Sequence, residues 1–154
     1  MRCNVGVDPI YLVDQHLIAE YRELPMVIGS LRINDWKIKT DVPKSFVLGK
    51  GHMNFFKNKL TYLSKRHNVV KQECINRGFN CHSLSIIINE GHPYCNDWSP
   101  DFIASKLIRK RIVEKLINRF EKSPTFWKYK SNTLTKELLY DLIECIEDSY
   151  LFYV

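Results

Sequence analysis

Two side chains able to handle protons and charge stand next to each other in the stretch from Asp14 to Leu31, DQHLIAEYRELPMVIGSL. Plotted at about 100° per residue, Gln15, Ala19, Arg22, Glu23 and Met26 share one face of a helix, with His16 at its margin. A carboxylate there could move a proton or steady a developing cation, and a guanidinium beside it could hold a phosphate. Taken alone, an adjacent Arg–Glu pair more often means an inert surface ion pair, and a lone His a hydrogen-bonder at a helix start. A second candidate is the loop Ser123–Lys130, SPTFWKYK, which interleaves lysines with Phe126, Trp127 and Tyr129. Cations alternating with aromatics suit phosphate pairing and base stacking. The plainer alternative is an aromatic cluster that closes the core beneath a helix end.

These residues need elements to hold them. Leu17, Tyr21, Leu24, Ile28 and Leu31 recur at steps of 4, 3, 4 and 3, the buried stripe of the same first helix. Asp14 stands where an N-cap belongs, and Pro25 is expected to kink the helix. Residues 1–13 read as an extended lead-in and 32–51 as a surface loop. His52 to Arg77 reads as a second helix, stopped by Gly78. Residues 79–98 are irregular, with a possible short strand at Leu84–Ile88. Ser99-Pro100 opens a third helix running to about Lys122, with Ile103, Leu107, Ile108, Ile112, Leu116, Ile117 and Phe120 inward. A fourth runs from about Leu134 to Ser149, with Glu137, Asp141, Glu144 and Asp148 on one face. The predicted class is all-α: one compact domain of three main helices with long loops, plus an acidic C-terminal helix.

Charge is unevenly spread along the 154 residues, whose net charge is +6. Between Lys106 and Lys130 nine basic residues face only Glu114 and Glu121, a net of +7. From Ser131 onward Lys136 faces five acidic residues, a net of −4. A basic stretch of that density suggests a polyanionic partner. Five cysteines at irregular spacing suggest reduced thiols, in a cytoplasmic or nuclear setting rather than a secreted one. Cys74, Cys81, His82, His92 and Cys95 fit no standard zinc spacing, so no metal is expected there, and no organic cofactor is expected either. No apolar run approaches the ~20 residues of a membrane span, and the first residues do not read as a signal peptide.

Three blocks resemble the phage-type pyrimidine-dimer DNA glycosylases, the ultraviolet-repair endonuclease V of T-even phages and its algal-virus relatives. Residues 14–25, DQHLIAEYRELP, differ from the family block at about one position. Residues 46–56, FVLGKGHMNFF, with 59–66, KLTYLSKR, follow its second helix, and 123–129 resemble its aromatic loop. The resemblance implies a helical glycosylase-like domain over residues 1–130, with 131–154 as an extension packed on it. The family nucleophile is the α-amine of an N-terminal residue, usually a threonine exposed by loss of the initiator Met. Here Met1 aligns with that threonine, and the bulky Arg2 would block removal of Met1.

The implied chemistry is base excision followed by strand cleavage on ultraviolet dimers in double-stranded DNA, by a monomer. An α-amine has a reference pKa of ~7.7–8.0 against ~10.4 for lysine, so more of it is unprotonated near neutrality. The amine of Met1 would form an imine with the sugar and Glu23 would stabilise the cationic intermediate. Arg2, Gln15, His16 and Arg22 would line the pocket. Arg111 and Lys115, with the loop residues Trp127, Lys128 and Tyr129, would grip DNA. The duplex would be kinked and a base turned out. Met26 departs from the family, which carries an arginine there, so the lesion could differ, or the chain could be a DNA-binding module whose chemistry has lapsed.

Overall fold

A computed structural model of the chain describes residues 1–149. Its regular structure is helical apart from one two-stranded hairpin, so the all-α expectation holds. The helices are α1 (Asp14–Glu23), α2 (Met26–Ile33), α3 (His52–Phe56), α4 (Leu60–Asn76), α5 (Phe102–Lys122) and α6 (Lys136–Asp148). The chain divides into two units. One comprises Met1–Cys3 and Ala19–Ser99; the other comprises Asn4–Ile18 and the chain from Pro100 onward. Helix α1 passes from the second unit into the first. The last five residues of the expected C-terminal extension lie outside the described residues.

In the first unit the stripe read from the sequence is buried, at Tyr21, Leu24, Ile28 and Leu31. The expected kink at Pro25 is a full break between α1 and α2. Pro25 has no N–H to give the Tyr21 carbonyl one turn back. His67 Nε2 fills that place from α4, 3.0 Å from Tyr21 O.

The expected helix from His52 to Arg77 is likewise two helices. Between them the backbone of Asn58 and Leu60 pairs with a returning segment: Leu60 N–H donates to Tyr94 O at 3.1 Å, and Asn96 N–H to Asn58 O at 3.3 Å. Lys59 tethers the break by donating from Nζ to Phe55 O and Asn58 Oδ1, each at 2.8 Å. Beneath lies an aromatic cluster in which the Tyr62 and Trp98 rings meet edge to face at 4.7 Å.

The strand expected at Leu84–Ile88 does not form. The segment is held by side chains instead. Leu84 N–H donates to Tyr21 Oη, Lys71 Nζ reaches the carbonyls of His82 and Leu84, and Ser64 Oγ donates to Ile86 O.

In the second unit, Asp101 rather than Pro100 opens α5; its carboxylate accepts from Ala104 N–H at 2.8 Å. The buried side of α5 is Ala104, Ser105, Ile108, Arg109, Ile112 and Leu116. Ile103 and Leu107, read as inward, are exposed, Ile103 at 67%. The sequence stripe drifted by one position at that end, and the small Ala104 and Ser105 face in. Gly6 takes φ +70° directly against Ser105, where a Cβ would lie 2.7 Å from the serine Cβ. Helix α6 begins at Lys136 with Thr135 as its cap. It buries Leu139, Leu142, Ile143 and Ile146 and leaves Glu137, Asp141, Glu144 and Asp148 exposed. Arg109 donates to Glu147 O at 2.9 Å, holding the last turn of α6.

Candidate active site and nucleic-acid interface

In the first unit, Met1 and Arg2 are half-buried and Cys3 is fully buried. Arg22 is exposed and Glu23 half-buried, both in the last turn of α1. Neither engages in an ion pair among the described residues. The inert surface pairing that is the commoner meaning of Arg beside Glu is therefore not what these side chains do. Met26, exposed at 53%, starts α2 three positions beyond Glu23. Its thioether carries no charge that could pair with a phosphate.

One turn before Glu23, Glu20 is wholly buried and paired with the equally buried Arg66 of α4. Nε of Arg66 lies 2.7 Å from one carboxylate oxygen and Nη2 lies 3.0 Å from the other, a two-point clamp. The thiol of Cys3 is pushed well above its ordinary pKa, first by burial and then by the negative charge of Glu20, with Arg66 opposing. A thiol so held stays protonated and is a poor nucleophile. The sequence reasoning missed this pair, although a signal was there. Glu20 falls between Leu17, Tyr21 and Leu24 on an apolar face, and Arg66 between Leu63 and Val70 on another. Opposite charges on two apolar faces have to find each other.

In the second unit the structure brings Gln15, His16, Trp127, Lys128 and Tyr129 together. The Gln15 amide donates from Nε2 to Phe126 O and accepts at Oε1 from Lys128 N–H. Both ends of that side chain are spent on the aromatic loop. The buried His16 ring meets Trp127 edge-on at 4.8 Å. Trp127 is 5% exposed, and its indole N–H donates to Leu116 O. Tyr129 Oη donates to Ile10 O at 2.9 Å. These contacts are those of a cluster closing a helix end.

Lys128, Lys130 and Phe126 are among the exposed residues of the loop, and the Arg119 guanidinium lies over the Phe126 ring at 4.0 Å. The loop ends in a hairpin, β1 (Lys128–Tyr129) against β2 (Asn132–Thr133). Its two turn residues, Lys130 and Ser131, take φ of 49° and 68°. Their N–H groups donate to the two carboxylate oxygens of Asp14, at 3.0 and 2.7 Å. Asp14 thus ties the hairpin turn in addition to standing at the start of α1. Along α5, Lys115 is exposed and Arg111 half-buried. Arg109 is buried on backbone carbonyls and is not part of the basic surface.

Among the described residues no three His, Cys, Asp or Glu side chains gather as a metal site, and no helix is long and apolar enough to cross a membrane. Burial, and then the neighbouring Cys81 thiol, push the Cys74 thiol well above its ordinary pKa.

Exposed lysines and arginines along α5 and in the aromatic loop suit a polyanionic partner. A sequence profile of the pyrimidine dimer DNA glycosylases matches residues 2–86, more than half of the chain, and the chain belongs to that family. The matched span contains Arg2, Gln15, His16, Arg22 and Glu23, and also the Glu20–Arg66 clamp.

Proposed function

We propose that this pyrimidine dimer DNA glycosylase is also an abasic-site lyase and works through an imine on the α-amine of Met1. The observation that carries the reading is the family match across α1, together with a half-buried Glu23 carboxylate that forms no ion pair among the described residues and lies in the same unit as the first residue. The unprotonated amine attacks C1′ of the damaged nucleotide. A C–N bond to the amine replaces the glycosidic bond, and the pyrimidine leaves with its electron pair and takes a proton. Ring opening and loss of the amine proton give the imine, and removal of a C2′ proton expels the 3′ phosphate by β-elimination. Glu23 stabilises the cationic sugar and moves the C2′ proton. Arg2 and Arg22 hold phosphate nearby. Gln15, His16, Trp127 and Tyr129 build the loop from which Lys128 reaches the backbone, and Arg111 and Lys115 hold further phosphates.

Borohydride trapping on an abasic duplex tests this. A covalent adduct mapping to Met1, lost on blocking the amine and reduced roughly a hundredfold in Glu23→Gln, is expected. Failure to trap wild-type protein, or an adduct on another residue, overturns it. Intact mass should show Met1 retained and unmodified. A second reading, the same chemistry on another lesion, is favoured by the exposed Met26. Comparing cleavage of dimer-bearing, abasic and undamaged duplexes decides between them.

A further inference from the structure

We propose that the buried Glu20–Arg66 clamp is a positioning pair: it fixes the terminal segment Met1–Cys3 and Glu23 against one common reference. The proposal rests on the reading above. Removing two charges from water is expensive, and apolar side chains of similar volume commonly give equal or greater stability. A clamp retained at 0% exposure therefore calls for a property that packing lacks. A two-point guanidinium–carboxylate contact sets rotation and axial register, which Leu against Met would leave loose.

What the clamp registers is on either side of it. Glu20 opens the last turn of α1, three residues before Glu23, so fixing its carboxylate fixes the turn that carries Glu23. Cys3 is wholly buried in the unit that contains Glu20 and Arg66, and burial first, then the charge of Glu20 opposed by Arg66, acts on its thiol. Two residues from Met1, the chain is thus anchored in the core of the same unit that holds the clamp. All of these groups lie in one unit. An imine forms only if the amine and the carboxylate keep their mutual placement within about half an ångström.

The test replaces the clamp by an apolar pair, Glu20→Leu with Arg66→Met. Its unfolding midpoint should equal or exceed that of wild type, and affinity for an abasic duplex should stay within about twofold. The borohydride-trapping rate at saturating protein should fall roughly 10- to 100-fold. A swap variant that traps at the wild-type rate overturns the proposal. Should the swap fail to fold, Arg66→Lys keeps the charge with a single contact. A partial loss of trapping rate at unchanged affinity supports positioning, and an unchanged rate overturns it.

Hydrogen exchange of the Arg2–Val5 amides needs no DNA and keeps the two proposals apart. Faster exchange there in the folded variant supports the clamp, and unchanged exchange overturns it even if wild type forms no imine. A wild-type protein that fails to trap while its variant exchanges faster sinks the imine chemistry and not the clamp.

Discussion

His67 Nε2 stands 3.0 Å from the Tyr21 carbonyl, the acceptor that Pro25 leaves without a helical donor. The contact fixes the tautomer: Nε2 carries the hydrogen, and Nδ1 is buried with no partner. Burial is the largest effect on this ring and lowers its pKa below the ordinary 6.5. The folded protein therefore binds fewer protons than the unfolded chain once pH drops below that value. Stability should be constant above about pH 7 and fall as pH falls through 6.5 toward the lowered folded value. Urea unfolding from pH 5 to 8 measures this. His67→Gln, which keeps a donor but cannot titrate, should flatten the dependence and cost roughly 1–3 kcal/mol at pH 8.

Gly6 is the position least tolerant of a side chain. Alanine there meets two obstacles: a left-handed backbone at φ +70° and the Ser105 side chain. Gly6→Ala should lower stability by about 2 kcal/mol or more. Pairing it with Ser105→Gly should restore the part due to overlap and leave the backbone strain of about 1 kcal/mol. A double-variant cycle by chemical denaturation separates the two. Simple additivity of the single effects would show that the overlap is not the cause.

The hairpin turn at Lys130-Ser131 carries two side chains where glycine is at ease. Ser131→Gly keeps the N–H that Asp14 accepts and removes the Cβ penalty. It should raise stability by roughly 0.5–1 kcal/mol, measured as a higher unfolding midpoint. Asp14→Ala strips the turn of two charge-assisted bonds and should cost about 2 kcal/mol.

Trp127 and Lys128 are neighbours with opposite expected phenotypes. Lys128→Ala should leave the unfolding midpoint within about 0.5 kcal/mol of wild type. It should weaken duplex binding and reduce the salt slope of log Kd by about one. Trp127→Ala empties a buried site and should cost about 3–5 kcal/mol of stability. If Lys128→Ala leaves the salt slope unchanged, Lys128 does not contact phosphate.

The helix stripes were legible in the sequence because their period depends only on neighbours within a turn or two. The stripe from Leu17 to Leu31 is buried as read, and the exposed acidic face of α6 lies where its spacing placed it. Breaks in those helices were harder to see. The gap between α3 and α4 exists because Tyr94 and Asn96 return to it from more than thirty residues away, and nothing local to Lys57–Lys59 announces that visit. At the start of α5, Ile103 and Leu107 carried the apolar signal, yet Ala104 and Ser105 face in, since small residues are what the adjacent Gly6 admits. In the candidate site the adjacency of Arg22 and Glu23 was plain. The task of Gln15 was not, because both ends of its amide are claimed by main-chain groups over a hundred positions away.

The same return at Asn58–Leu60 bears on how the chain is made. The backbone donor of Leu60 finds its acceptor only on Tyr94. During synthesis the Leu60 amide should therefore stay hydrated until some thirty-four further residues have been added. The backbone donors of the carboxyl half of α4, around Val70 and Cys74, find acceptors within the helix itself, so α4 should consolidate from its far end backward.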